Sequence, residues 1–151
     1  MLNVQFDYGC NTSIGNEFSA NFNFVALDCA EITIGNNVLI GANVTLATPV
    51  HPFLPKERNI QYDEHGCRHL YEYAKPITIK DDVWIASNVT VCAGVTIGEG
   101  TVIGAGSVVT RDIPSNSFAA GVPCKVIRQI TENDSINYKP EILGSNVVIK
   151  E

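Results

Sequence analysis

Nowhere in the 151 residues does an apolar run approach the ~20 that a membrane-spanning helix needs, and no signal-peptide pattern opens the chain. Paired cysteines are missing as well. Cys10, Cys29, Cys67, Cys92 and Cys124 are scattered, odd in number and without a C-x-x-C pair. That pattern speaks against a disulfide framework and predicts reduced thiols in a cytoplasmic protein. Positive charge is scarce: 10 Lys and Arg against 16 Asp and Glu give a formal charge of −6, the wrong sign for a nucleic-acid surface. Any anionic ligand must therefore meet a local cluster of cations. What remains is 45% hydrophobic, the length and composition of one soluble globular domain able to bury a core without staples.

What the chain does have is a rhythm of six. Ile79, Ile85, Val91, Ile97, Ile103 and Val109 follow one another at that interval, and four residues after each come Val83, Val89, Val95, Thr101, Ser107 and Ile113. An earlier block, Ile34, Ile40 and Leu46, keeps the same spacing, with Val38 and Val44 as its second apolar position. The two blocks are out of phase, because 79 minus 34 is 45 and not a multiple of six. The residues between them therefore contain an insertion, placed at 52–75. Six fits neither an α-helix nor a hairpin sheet. It fits a parallel β-helix in which each hexapeptide makes one short strand and one corner. Branched residues favour the extended stretches, while Asn and Gly tolerate the left-handed dihedrals of corners. The expected fold is an all-β, left-handed parallel β-helix over residues 1–130, with one long loop insertion. Residues 131–151 carry no hexapeptide phase and form a short C-terminal extension.

Several longer motifs accompany the repeat: "SANFNFVALDCAEITIGNNVLIGANVTL", "HP" at 51–52, "PITIKDDVWIASNVTV", "GVTIGEGTVIGAGSVVTRDIP" and "AAGVPCKVIRQI". Together they make the chain resemble the hexapeptide-repeat acetyltransferases of the maltose, galactoside and nodulation-factor O-acetyltransferase group. The resemblance implies acetyl-CoA as cosubstrate, a homotrimer with its site between neighbouring subunits, and a small hydroxyl acceptor such as a sugar. Members normally carry a helical segment of several dozen residues before the first coil, whereas here Met1 stands almost directly before "FDYGCNTSIG".

Moving an acetyl group from a thioester to a hydroxyl requires a base for the hydroxyl proton and donors for the oxyanion. The resemblance makes His51 that base, acting by direct attack without an acyl-enzyme. Histidine suits the task because its unperturbed pKa lies near neutrality. The other reading of His51 is a residue that merely ends a strand. Asn21 and Asp28 match positions where the family binds its acceptor, although Asn21 also suits a corner and Asp28 a turn cap. The family's CoA positions fall on Trp84, Ser87, Ala105, Thr110, Arg111, Lys125 and Arg128. Arg111, Lys125 and Arg128 would be the local cation cluster, and Ala105 between Gly104 and Gly106 leaves room for close approach. The irregular insertion, with two prolines near its entrance, is expected to wall the cleft and touch a neighbouring subunit.

Two rival readings remain. One is a zinc enzyme on the same scaffold, like the γ-type carbonic anhydrases. That class needs three histidines converging from adjacent coils, and of the three here His65 and His69 sit in the insertion. "HGCRH" has no matching second half, so no metal is expected. The other rival is a non-catalytic trimeric module.

Overall fold

A computed structural model of the chain describes residues 3–138. The polypeptide winds as a column of stacked coils with three flat faces. The first face stacks the strands Val4–Phe6, Phe24–Leu27, Thr45–Ala47, Thr90–Val91 and Val108–Val109. The second stacks Thr12–Ile14, Ile32–Ile34, Ile77–Ile79 and Thr96–Ile97, with Ile113 bridged to Ile97 above them. The third stacks Ser19–Ala20, Leu39–Ile40, Trp84–Ile85, Val102–Ile103 and Ser117–Ala120. All these strands pair in parallel. The chain then doubles back, and Lys125–Gln129 pairs antiparallel on Ser117–Ala120.

The core is the six-residue rhythm read in space. Ile79, Ile85, Val91, Ile97, Ile103 and Val109 are all fully buried, and Ile34, Ile40 and Leu46 lie directly beneath Ile79, Ile85 and Val91. The first two coils pair residues 20 apart, Val4 beside Phe24 and Val25 beside Thr45. The upper coils pair residues 18 apart, as in Thr78 beside Thr96. Between them the spacing is 45, Ile32 beside Ile77, so the third coil holds 27 residues more than an 18-residue turn.

The insertion leaves the coil slightly earlier than expected and is not structureless. Pro49–Val50 already pairs antiparallel with Tyr73–Ala74, a ribbon that carries the chain away from the column and back. Beyond it come one helical turn, Pro55–Arg58, and a small antiparallel pair of Gln61–Tyr62 with Arg68–His69. Within it, Asp63 accepts the amides of His65 and Cys67 and so fixes the turn between the paired strands.

Corners use the residues that the pattern predicts. Asn23, Asn37, Asn43, Asn88 and Asn116 all have φ between 54° and 60°, the left-handed region. At one corner they form a ladder: the Asn23 amide donates to Asn43, and the Asn43 amide donates to Asn88. Asn43→Ala should cost about 1–2 kcal/mol, since alanine resists that dihedral and both ladder bonds vanish. Thermal unfolding at fixed protein concentration checks this. The described part of the extension makes two short 3-10 turns, Glu132–Asp134 and Ile136–Tyr138; the rest lies outside the described residues. Among the described residues no helix is long and apolar enough to cross a membrane.

Candidate active site

The two residues by which each lower coil exceeds 18, and the whole insertion, lie at one edge of the prism, between the first and second faces. This edge is where the column ceases to be flat. It carries Asp7 in the first coil, Asp28 and Cys29 in the second, and His51 with Glu72 in the third.

His51 follows the outgoing strand of the ribbon and is about half exposed. The ribbon register sets Tyr73 opposite Val50, so Glu72 falls opposite His51, and facing residues of such a pair share one side. Nδ1 of the imidazole lies 3.4 Å from the Tyr71 carbonyl oxygen, and Nε2 lies 3.2 Å from Oε2 of Glu72. Both partners are acceptors, so which nitrogen carries the hydrogen depends on the tautomer; a hydrogen on Nδ1 leaves Nε2, the atom turned outward beside Glu72, as the basic one. Neither Glu72 nor Tyr71 stands out in the sequence. Nothing in the hexapeptide rhythm reports on a ribbon outside it.

Next to this pair, the Cys29 thiol lies 3.6 Å from Asp7 Oδ2 and also faces Glu72. Burial, the Glu72 charge and the hydrogen bond to Asp7 push it up to about 11. At neutral pH it is therefore a hydrogen-bond donor rather than a thiolate nucleophile.

Asp28 lies inside the corner of the second coil. It is fully buried and its oxygens accept from the backbone amides of Tyr8, Gly9 and Asn11 and from the Thr12 hydroxyl. Burial alone would raise its pKa, but these four donors together pull it below the usual carboxylate value. With both oxygens engaged inside the corner, Asp28 clasps the first coil to the second.

The remaining expected residues fall into three groups. Thr110, Arg111 and Lys125 come together around a cavity of about 400 Å³ at the upper end of the column, beside Pro123 and Val126. Trp84 and Arg128 border a second hollow of about 320 Å³ with Val102, Phe118 and Ile130. Arg128 is not free there. It forms a two-pronged ion pair with Asp134 at 2.7 and 2.8 Å and lies over the Phe118 ring. Asn21, Ser87 and Ala105 stand on another edge, between the third and first faces. Asn21 borders a shallow hollow with Trp84, Leu39 and Gly41, and the Ser87 hydroxyl accepts the Ala42 amide. Ala105 is exposed, next to Gly106 at φ 71°. None of these three hollows includes His51, which stands on a different edge. Among the described residues, no three of His, Cys, Asp and Glu are arranged to hold a metal ion.

Comparison with known proteins gives this geometry its family. Residues 76–111 match the model of the bacterial transferase hexapeptide (six repeats), and residues 31–51 match the hexapeptide repeat of succinyl-transferase. The crystal structure of a maltose O-acetyltransferase from Clostridium difficile 630 superposes with a TM-score of 0.74 at 43% identity, over 87% of this chain and 68% of that one. The chain belongs to the hexapeptide-repeat acetyltransferase family. Another family member, a hexapeptide-repeat acetyltransferase of Vibrio cholerae solved with acetyl coenzyme A, gives a TM-score of 0.76 at 36% identity, over 85% of this chain and 66% of that one. The galactoside O-acetyltransferase of Escherichia coli K12 is 50% identical over 136 residues, 89% of this chain. The chain spans 62% of that relative's length.

Proposed function

We propose that this family member is an acetyl-CoA-dependent O-acetyltransferase acting on a hydroxyl of a sugar or related small molecule. The observation that carries the reading is the setting of His51. Its Nδ1 faces the Tyr71 carbonyl, and its Nε2 faces Glu72 at the edge where the repeat opens. The names of the relatives at Escherichia coli and Clostridium difficile point to sugar hydroxyls as acceptors.

In this reading the acceptor hydroxyl loses its proton to His51 Nε2 as its oxygen attacks the thioester carbonyl carbon. The tetrahedral intermediate collapses with loss of the CoA thiolate, which takes up the proton. The raised Cys29 thiol supports direct transfer over an acyl-cysteine. Arg111 and Lys125 bind phosphates of the nucleotide, with Thr110 beside them. Ser87 and Ala105 border the pantetheine arm, Trp84 flanks it, and Asn21 meets acetyl group or acceptor. Arg128 takes part by exchanging Asp134 for a CoA phosphate.

The functional unit is a homotrimer. His51 occupies one edge and Asn21, Ser87 and Ala105 another, and a three-fold arrangement lays one chain's first edge beside its neighbour's second. The five unpaired cysteines suit the reducing cytoplasm.

The test is release of CoA thiol from acetyl-CoA with galactosides, maltose and other sugars offered as acceptors, and mass-spectrometric detection of the acetylated sugar. No acetylated product with any acceptor, from correctly assembled protein, would refute the reading. A graded prediction accompanies it. Arg111→Ala combined with Lys125→Ala should raise KM for acetyl-CoA at least about tenfold with little change in acceptor KM, because each charge-assisted contact contributes about 1.5–3 kcal/mol.

A further inference from the structure

A carboxylate stands on the reactive nitrogen. With Nδ1 turned to the Tyr71 carbonyl, Nε2 is the ring atom placed to receive an acceptor's proton. Yet Nε2 lies 3.2 Å from Glu72 Oε2. The Glu72 carboxylate thus covers that atom.

The pair is built into the fold. Glu72 and His51 face each other across a two-stranded ribbon whose register is set by Val50 with Tyr73 and Pro49 with Ala74. Glu72 also faces the Cys29 thiol, whose raised pKa of about 11 keeps it neutral. Both members are between one third and one half exposed, so the contact is easily exchanged.

We infer that Glu72 is a specificity residue that discriminates the acceptor alcohol from water by occupying His51 Nε2 until an acceptor displaces it. This rests on the acetyl-transfer reading. Water could otherwise attack bound acetyl-CoA: its oxygen would bond to the acetyl carbon, the carbon–sulfur bond would break, and the water proton would pass through Nε2 to the departing thiolate. The products would be acetate and CoA. A lone water gains nothing elsewhere to offset separation of the Glu72–His51 pair. An acceptor with several hydroxyls binds at further points, and it leaves Glu72 free to accept one of them.

Two readouts test this, one of which needs no turnover. Diethyl pyrocarbonate acylates an unprotonated imidazole nitrogen, and His65 serves as an internal reference because its neighbour is Glu64. In Glu72→Ala, carbethoxylation of His51 should accelerate about three- to fivefold relative to His65, the range expected for losing a half-exposed ion pair. Glu72→Gln should move the same way by less. Hydrolysis of acetyl-CoA without acceptor should rise by a similar factor in Glu72→Ala, and the rise should vanish in His51→Ala/Glu72→Ala. Equal His51 modification in wild type and both variants would overturn the inference, as would a rise in hydrolysis that survives loss of His51. If modification rates separate but no form turns over acetyl-CoA, Glu72 does cover Nε2 and it is the acetyl-transfer reading that falls.

Discussion

His51→Ala is expected to lower kcat for acetyl transfer by about 10²–10⁴ while leaving KM for acetyl-CoA within a factor of about three. The asymmetry follows from position. His51 sits on the ribbon edge, whereas Arg111 and Lys125 border a separate cavity at the upper end of the column. Removing a proton acceptor raises the barrier without disturbing phosphate contacts. Steady-state kinetics with saturating acceptor measures both quantities. A loss confined to KM would make His51 a binding residue, and a loss below about threefold in kcat would remove it from the chemistry.

Asp28→Ala should destabilise the protein by about 3 kcal/mol, because three backbone amides and the Thr12 hydroxyl lose the carboxylate that ties the first coil to the second. For a chain of this size that corresponds to a drop in Tm of about 6–12 °C, read at fixed concentration because assembly also contributes. The sign with pH is fixed by the lowered carboxyl pKa. A group whose folded pKa lies below its unfolded value stabilises above the unfolded value and loses that contribution as pH falls through the folded one. The wild type should therefore exceed the variant fully at neutral pH. The gap should narrow progressively once pH drops below the ordinary value of 3.8. An acid titration of Tm for both proteins tests this; a gap that stays constant down to pH 2 would contradict it.

The column was legible in the sequence because its physics is periodic. A coil buries its aliphatics only by stacking on the next, so residues such as Ile79 and Ile97 had to repeat in step and are found side by side. The offset of 45 between Ile34 and Ile79 is the length of one interrupted turn, and the two residues pair directly. The site was less legible, since its parts have no period. His51 stood out as the residue at which the rhythm fails, but Glu72 is brought to it by an antiparallel ribbon that breaks the parallel pattern. Asp28 shows the reverse limit. A carboxylate next to an edge suits an acceptor site or a corner clasp equally well on paper, and the four donors that make it a clasp come from another coil, where no period announces them. Arg128 likewise was placed by family pattern, whereas its partner Asp134 belongs to the extension, where no repeat directs the eye.

The central claim is that His51 serves a site completed by the other edge of a neighbouring chain, and subunit mixing tests it most directly. His51→Ala disables one edge. Ala105→Trp fills the opposite edge, where an exposed alanine beside Gly106 leaves space. Each variant alone should be inactive. Unfolded together in equal amounts and reassembled, they should recover roughly a quarter of wild-type activity, since each heterologous interface needs both edges intact and each is intact half the time. Mixed assemblies with no activity above the two parents would contradict the shared site and place the chemistry within a single chain.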